Sequence, residues 1–161
     1  MLSSVIDDSQ AGHTILCLPG LASAHSHAFQ RALRSRTHRR AGPSENFWSW
    51  RGLMFALAAK LDPDSIFELS RYAFVELAQS GVTAVGEFHY VHHAPGGRPY
   101  AQRTVMAERV IDAALAAGIR ITLLRTVYLR AGFQQALAPG QDRFVDRDVD
   151  EALADTLTLH T

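Results

Sequence analysis

The sequence predicts an α/β fold built on a parallel sheet, and three observations lead there. Short apolar runs at Thr14-Ile15-Leu16-Cys17-Leu18, at 82–88 and at 119–124 read as buried strands. Between them lie stretches whose apolar residues recur every three or four positions, the period of an amphipathic helix. The second and third runs each follow a glycine, Gly81 and Gly118, where a helix can close in a left-handed conformation and pass the chain to a strand. Strands separated by helices of this length pair in parallel through crossovers. In barrels and open sheets of this kind alike, functional groups sit in the loops leaving the C-terminal ends of the strands. The segments beginning at Gly20, His89 and Thr126 are therefore where a site is expected.

Element by element, the first strand, Thr14 to Leu18, is β-branched at its start and closed by the turn pair Pro19-Gly20. Phe47, Trp50, Leu53, Met54 and Leu57 have helical spacing, which predicts a helix with those residues turned inward. Pro63 to Ser80 is the clearest helix, with Ile66, Leu69, Ala73, Phe74 and Leu77 on one face, Asp62 as N-cap and Pro63 at the first helical position. The second strand, Val82 to Phe88, follows. Arg103 to Ala117 repeats the helical period through Val105, Met106, Val110, Ile111, Ala114 and Leu115, and leads into the third strand, Ile119 to Leu124. A last helix is expected to start near Asp148 or Asp150.

The chain has 161 residues, with 16 basic and 16 acidic side chains and a formal net charge of zero, so no global attraction to nucleic acid or anionic membrane is expected. At 47% hydrophobic it has material for a real core. A single cysteine, Cys17, excludes a disulfide framework or a Cys-rich zinc module. The first ten residues lack a basic and apolar leader, and no apolar run reaches the length of a membrane span, so a soluble, cytoplasmic chain is expected. Charge is segregated. Arg31, Arg34, Arg36, Arg39 and Arg40 crowd one stretch, while Asp142, Asp146, Asp148, Asp150, Glu151 and Asp155 form an acidic C-terminal stretch expected to lack its usual neighbours. The glycine-rich dinucleotide fingerprint, the phosphate loop, His-Glu-x-x-His and paired CxxC are all absent, which argues against a cofactor-driven oxidoreductase or a kinase.

Eight histidines point at local chemistry. In an extended chain His25-Ser26-His27 places both imidazoles on one side, so two nitrogens can meet one ion. Catalytic zinc usually takes about three protein ligands, so this pair is half a site. At the end of the second strand, Tyr90 is placed to orient a substrate, whereas His92 and His93 read as decoration of a solvated loop with Pro95-Gly96-Gly97. Arg51, just after two tryptophans, suits a bidentate clamp on a carboxylate. Arginines beside aromatics are also how single-stranded nucleic acid is gripped, a rival reading for Arg31 to Arg40. The balanced charge argues against it, and that stretch reads instead as a solvated lid or subunit contact, with no nucleic acid and no membrane as partner.

The words Leu18-Pro-Gly-Leu-Ala-Ser-Ala-His25-Ser-His27-Ala-Phe-Gln30-Arg31, Phe47-Trp-Ser-Trp-Arg51-Gly-Leu-Met54, Thr83-Ala-Val-Gly-Glu-Phe-His-Tyr90-Val-His-His93 and Leu123-Leu-Arg-Thr-Val-Tyr128 resemble the amidohydrolase superfamily, in particular its deiminase branch acting on N-formimino-L-glutamate. The resemblance implies a (β/α)8 TIM barrel, of which this chain would carry about the first three βα units. It implies one zinc ion held by His25 and His27, and a small-molecule substrate with carboxylates held by Gln30, Arg51 and Tyr90. It also implies hydrolysis to N-formyl-L-glutamate and ammonia, and a homodimer for the whole enzyme. A complete barrel of this kind has about 250 residues. The remaining ligands and the catalytic groups are thus expected downstream of Thr161, none of them within the chain, and 1–161 is expected to be an N-terminal part with weak or no activity alone. A relative acting on an aminated heterocycle would share the metal motif but not the substrate.

Overall fold

The computed structural model describes residues 5–8, 13–16, 18–37, 42 and 46–160; Cys17, Arg39 and Arg40 lie outside them. β1 (Val5–Asp8) and β2 (His13–Leu16) pair antiparallel as a small separate sheet. The main sheet is parallel, in the order β3 (Leu21–Ser26), β4 (Val82–His89), β5 (Arg120–Arg125). This arrangement is the parallel α/β sheet that the sequence predicts.

The structure corrects the first strand. Of the run read as Thr14 to Leu18, residues 14–16 belong to the second leg of the antiparallel pair and Leu18 is not in a strand, and the parallel sheet begins at Leu21. Ala22, Ser23 and Ala24 give β3 no β-branched run to announce it. Their small size suits a close approach: a Cβ on Gly86 would stand 3.0 Å from the Ala24 carbonyl oxygen.

Among the described residues, four α-helices follow from local chemistry. α1 (Phe47–Ala58) starts at Asn46, whose side chain accepts from the Trp48 N–H at 2.9 Å. α2 (Pro63–Gln79) starts at Asp62, which accepts from the Ser65 N–H at 2.8 Å while the Ser65 hydroxyl accepts from the Asp62 N–H at 2.8 Å. That reciprocal pair satisfies two of the N–H groups that a helix start leaves open. Gly81 at φ +85° and Gly118 at φ +73° close α2 and α3 (Val105–Ala116) in the left-handed conformation the sequence predicts. α4 (Val149–Thr158) is capped by Asp148, accepting from the Glu151 N–H at 2.8 Å. Among the described residues no helix is long and apolar enough to cross a membrane.

The core joins sheet to helices through Val85, Ala58, Ile66, Phe74, Met106 and Val110. α1 departs from its expected inward face. Met54 is buried and Trp50 and Leu57 partly so, but Phe47 and Leu53 are exposed. The acidic stretch does have neighbours. Arg125, at the end of β5, pairs with Asp146 at 2.5 Å and Asp155 at 3.2 Å, all three side chains buried, and Arg103 pairs with Glu151 at 2.7 Å and Asp155 at 2.9 Å. Of the basic stretch, Arg31 and Arg34 pair with Glu76 of α2, at 2.5 and 3.4 Å. Arg143 is 2% exposed; its guanidinium donates to the carbonyls of His93 and Ala58 and to the Tyr100 hydroxyl.

Candidate metal centre

The C-terminal end of β3 carries His25 and His27, and the β3–β4 register slips between Ser23 and Ser26. Such irregularities re-aim side chains at strand ends. Here they leave His25 Nε2 and His27 Nε2 3.1 Å apart. Two nitrogens each about 2.0–2.1 Å from one tetrahedral ion stand roughly 3.3 Å apart, so the pair has the spacing of a chelating set. His27 Nδ1–H donates to the Phe88 carbonyl at 2.9 Å, which puts the ring proton on Nδ1 and leaves the Nε2 lone pair toward His25. Burial lowers the His27 pKa, with His25 adding to that effect and the Phe88 carbonyl opposing it, which favours the neutral ring a metal needs. The donors present fit zinc or another divalent ion that accepts imidazole nitrogen.

Tyr90, one residue past β4, stands edge-on to the His27 ring at 5.2 Å. Its hydroxyl accepts from Gln30 Nε2 at 2.7 Å and donates to Met54 Sδ at 3.6 Å. Burial pushes the Tyr90 phenol up to about 12, so it remains a hydrogen-bond donor throughout the neutral range. Arg51, on α1, lies over the rings of Phe55 and Trp48, at 4.8 and 5.4 Å. Arg51 and Tyr90 line one cavity of about 210 Å³, walled by Trp50, Phe55, Tyr128 and Phe144. The fold thus brings His25 to His27, Tyr90 to His27, Gln30 to Tyr90, and Arg51 to the cavity that Tyr90 shares.

Behind this cluster the interior of β4 is polar in a way the sequence did not announce. Glu87 is 2% exposed, and its Oε1 accepts from the Ala28 N–H at 2.7 Å while Oε2 has no partner. Burial pushes the carboxyl up to about 7, opposed by hydrogen bonds from Ser26 and Ala28. His89 is buried with Nε2 unpartnered, and burial, then His92 and Arg125, hold its pKa well below the usual value.

His92 and His93 do not decorate a solvated loop: they are 3% and 4% exposed. Both backbone N–H groups donate to the Arg143 carbonyl, at 3.0 and 3.1 Å, folding the segment under residues 141–146. Their Nε2 atoms donate to the carbonyls of Thr126 and Val145, each at 2.9 Å. Burial, aided by Arg125, holds His92 at about 4. Sequence reasoning missed Glu87, Arg143 and Phe144, because each is buried by contacts made across long stretches of chain. The one available signal was three histidines directly continuing a buried strand.

Residues 16–160 match the Amidohydrolase family. Over 130 residues the chain is 44% identical to a formimidoylglutamate deiminase of Pseudomonas aeruginosa, covering 80% of this chain and 29% of that protein. Among solved structures, an amidohydrolase from Brucella melitensis superposes with a TM-score of 0.74 at 35% identity, covering 87% of this chain and 33% of that one. Atrazine chlorohydrolase from Arthrobacter aurescens TC1, complexed with zinc, gives 0.64 at 26% identity, covering 88% and 30%. The chain therefore spans about a third or less of the length of these relatives. Because the family match runs from the last residue of β2 past the end of α4, taking in the whole parallel sheet and both converging histidines, the chain belongs to the amidohydrolase family.

Proposed function

We propose that this chain is the N-terminal part of a cytoplasmic, metal-dependent deiminase of histidine degradation that hydrolyses N-formimino-L-glutamate to N-formyl-L-glutamate and ammonia. The observation that carries the reading is Arg51, a guanidinium stacked on two rings that has no carboxylate partner among the described residues. It lines a cavity together with Tyr90, whose ring stands against that of His27. An unpaired arginine in an apolar enclosure suits a substrate carboxylate, which it can hold through two parallel hydrogen bonds. The 44% identity to a formimidoylglutamate deiminase supports the same substrate.

His25 and His27 would hold one zinc ion, which when bound supplies a Lewis acid that activates water near neutral pH. Arg51 anchors the acid end of the substrate, and the aromatic walls keep water from competing for that contact. Tyr90 offers its hydroxyl proton to the substrate, and Gln30 fixes the direction in which that hydroxyl points. In the net reaction the C=NH carbon takes the oxygen of water, and its nitrogen leaves as ammonia with the two protons of that water. Three βα units supply two ligands and a carboxylate subsite, so the chain alone is expected to release little or no ammonia.

The aromatic walls also suit a flat ring, which keeps an aminated heterocycle as the second substrate class. The test is ammonia release from N-formimino-L-glutamate and from guanine- or cytosine-like compounds, by an enzyme carrying this barrel segment together with strands four to eight. The formimino acid is expected to be the better substrate, with His25→Ala abolishing turnover. Arg51→Lys is expected to raise KM at least tenfold, since a single ammonium cannot replace a bidentate clamp. Preference for the heterocycle, or indifference to Arg51→Lys, would sink the reading.

A further inference from the structure

Where the loop after β4 folds back over the segment leading into α4, a second set of metal-ligating side chains converges. His93 is 4% exposed, and its Nε2–H donates to the Val145 carbonyl at 2.9 Å. A carbonyl can only accept, so the ring proton is on Nε2 and the lone pair on Nδ1. That Nδ1 is buried and has no hydrogen-bond partner. A ring nitrogen of His93 and carboxylate oxygens of Asp146 and Glu151 all lie within 4.8 Å of one another. A histidine with one ring nitrogen tied to a backbone carbonyl and the other left open has the hydrogen-bonding arrangement of a metal ligand.

The two carboxylates are already oriented. Arg125 holds Asp146 at 2.5 and 3.2 Å, and Arg103 holds Glu151 at 2.7 Å. An ionised carboxylate has about four lone-pair sites, so each keeps acceptor capacity for an ion. In the surrounding network three arginines, Arg103, Arg125 and Arg147, face four carboxylates, Asp146, Asp148, Glu151 and Asp155, leaving one negative charge over. Arg147 is 76% exposed at its side chain and can swing into solvent as an ion enters. A cavity of about 330 Å³, lined by His93, Arg103, Arg147 and Glu151, gives a path in.

We propose that His93, Asp146 and Glu151 bind one divalent ion of the zinc class, a structural clamp between the loop after β4 and the first turn of α4. One imidazole and two carboxylates suit zinc, manganese or ferrous iron. Donors 2.0–2.2 Å from an ion stand roughly 3.3 Å apart, so binding draws the trio together and tightens the clamp. The competing occupant is a water on Nδ1, which would leave stability insensitive to metal.

The test uses the full chain with His25→Ala and His27→Ala, stripped by a chelator and titrated with Zn2+ alone. Calorimetry is expected to show one ion per chain and thermal melts a Tm that climbs with Zn2+ concentration. Glu151→Gln in that background is expected to weaken binding at least tenfold. Nitrogen NMR of the imidazoles, which needs no substitution at His93, is expected to show Zn2+ moving the His93 Nδ1 resonance far more than its Nε2. No heat and no Tm response overturns the proposal in favour of water. Binding that leaves the Nδ1 resonance unmoved, or that ignores Glu151→Gln, overturns it in favour of ions held elsewhere.

Discussion

Glu87 shows how one side chain couples stability to pH. Its folded pKa of about 7 lies above the ordinary 4.5, because burial penalises the carboxylate more than the hydrogen bonds from Ser26 and Ala28 favour it. The native state therefore holds this proton more tightly than the unfolded chain does. The contribution is whole below about pH 4.5 and is lost as pH rises through about 7. His92 runs the other way, since its folded value of about 4 means stability lost as pH falls below about 6.5. Glu87→Gln keeps an acceptor for the Ala28 N–H and removes the titration, so it is expected to gain on the wild type between pH 5 and 8, by roughly 1–3 kcal/mol. Thermal melts of both chains across that range check it, and parallel curves would contradict it. The same residue marks where reading the sequence fails. The spacing of His25 and His27 is local and could be read directly. The burial of Glu87 depends on an N–H 59 positions away, and that of His92 and His93 on the carbonyl of Arg143.

Elements were legible where they form for their own reasons. α2 carries its own start signal, its own apolar face and its own glycine stop, and the structure keeps all three. β4 and β5 likewise follow from apolar runs behind Gly81 and Gly118. β3 does not, since its extended state is imposed by pairing with β4, and its small residues mark contact rather than propensity. The start of α2 can be measured in isolation. Asp62→Ala removes the acceptor for the Ser65 N–H and is expected to cost about 1 kcal/mol in denaturant unfolding, with an unchanged slope. A midpoint equal to the wild type would show that water replaces the cap at no cost.

Among the described residues the main sheet has three parallel strands, with β3 and β5 at its margins. Parallel sheets normally have neighbours covering strands and helices on both sides, and open edges invite pairing. Beside β5 lies a groove of about 500 Å³ lined by Ile121, Leu123 and Leu157, and Leu115, Leu153 and Leu157 are all more than half exposed. The isolated chain is expected to self-associate as concentration rises, and a Leu153→Lys, Leu157→Lys chain is expected to do so less; light scattering after size exclusion distinguishes them. A monomer at every concentration would show that the groove is self-sufficient. Arg143 works at this scale too. Its guanidinium fastens the tail of α1, through the Ala58 carbonyl, to the segment after β4, through the His93 carbonyl. Arg51 rides on that helix and Tyr90 at that strand end, so the span between guanidinium and phenol is gauged by a residue that touches neither. On the proposed reading of the site, the length of acid that would fit between them is a property of this hidden strut as much as of the two groups themselves.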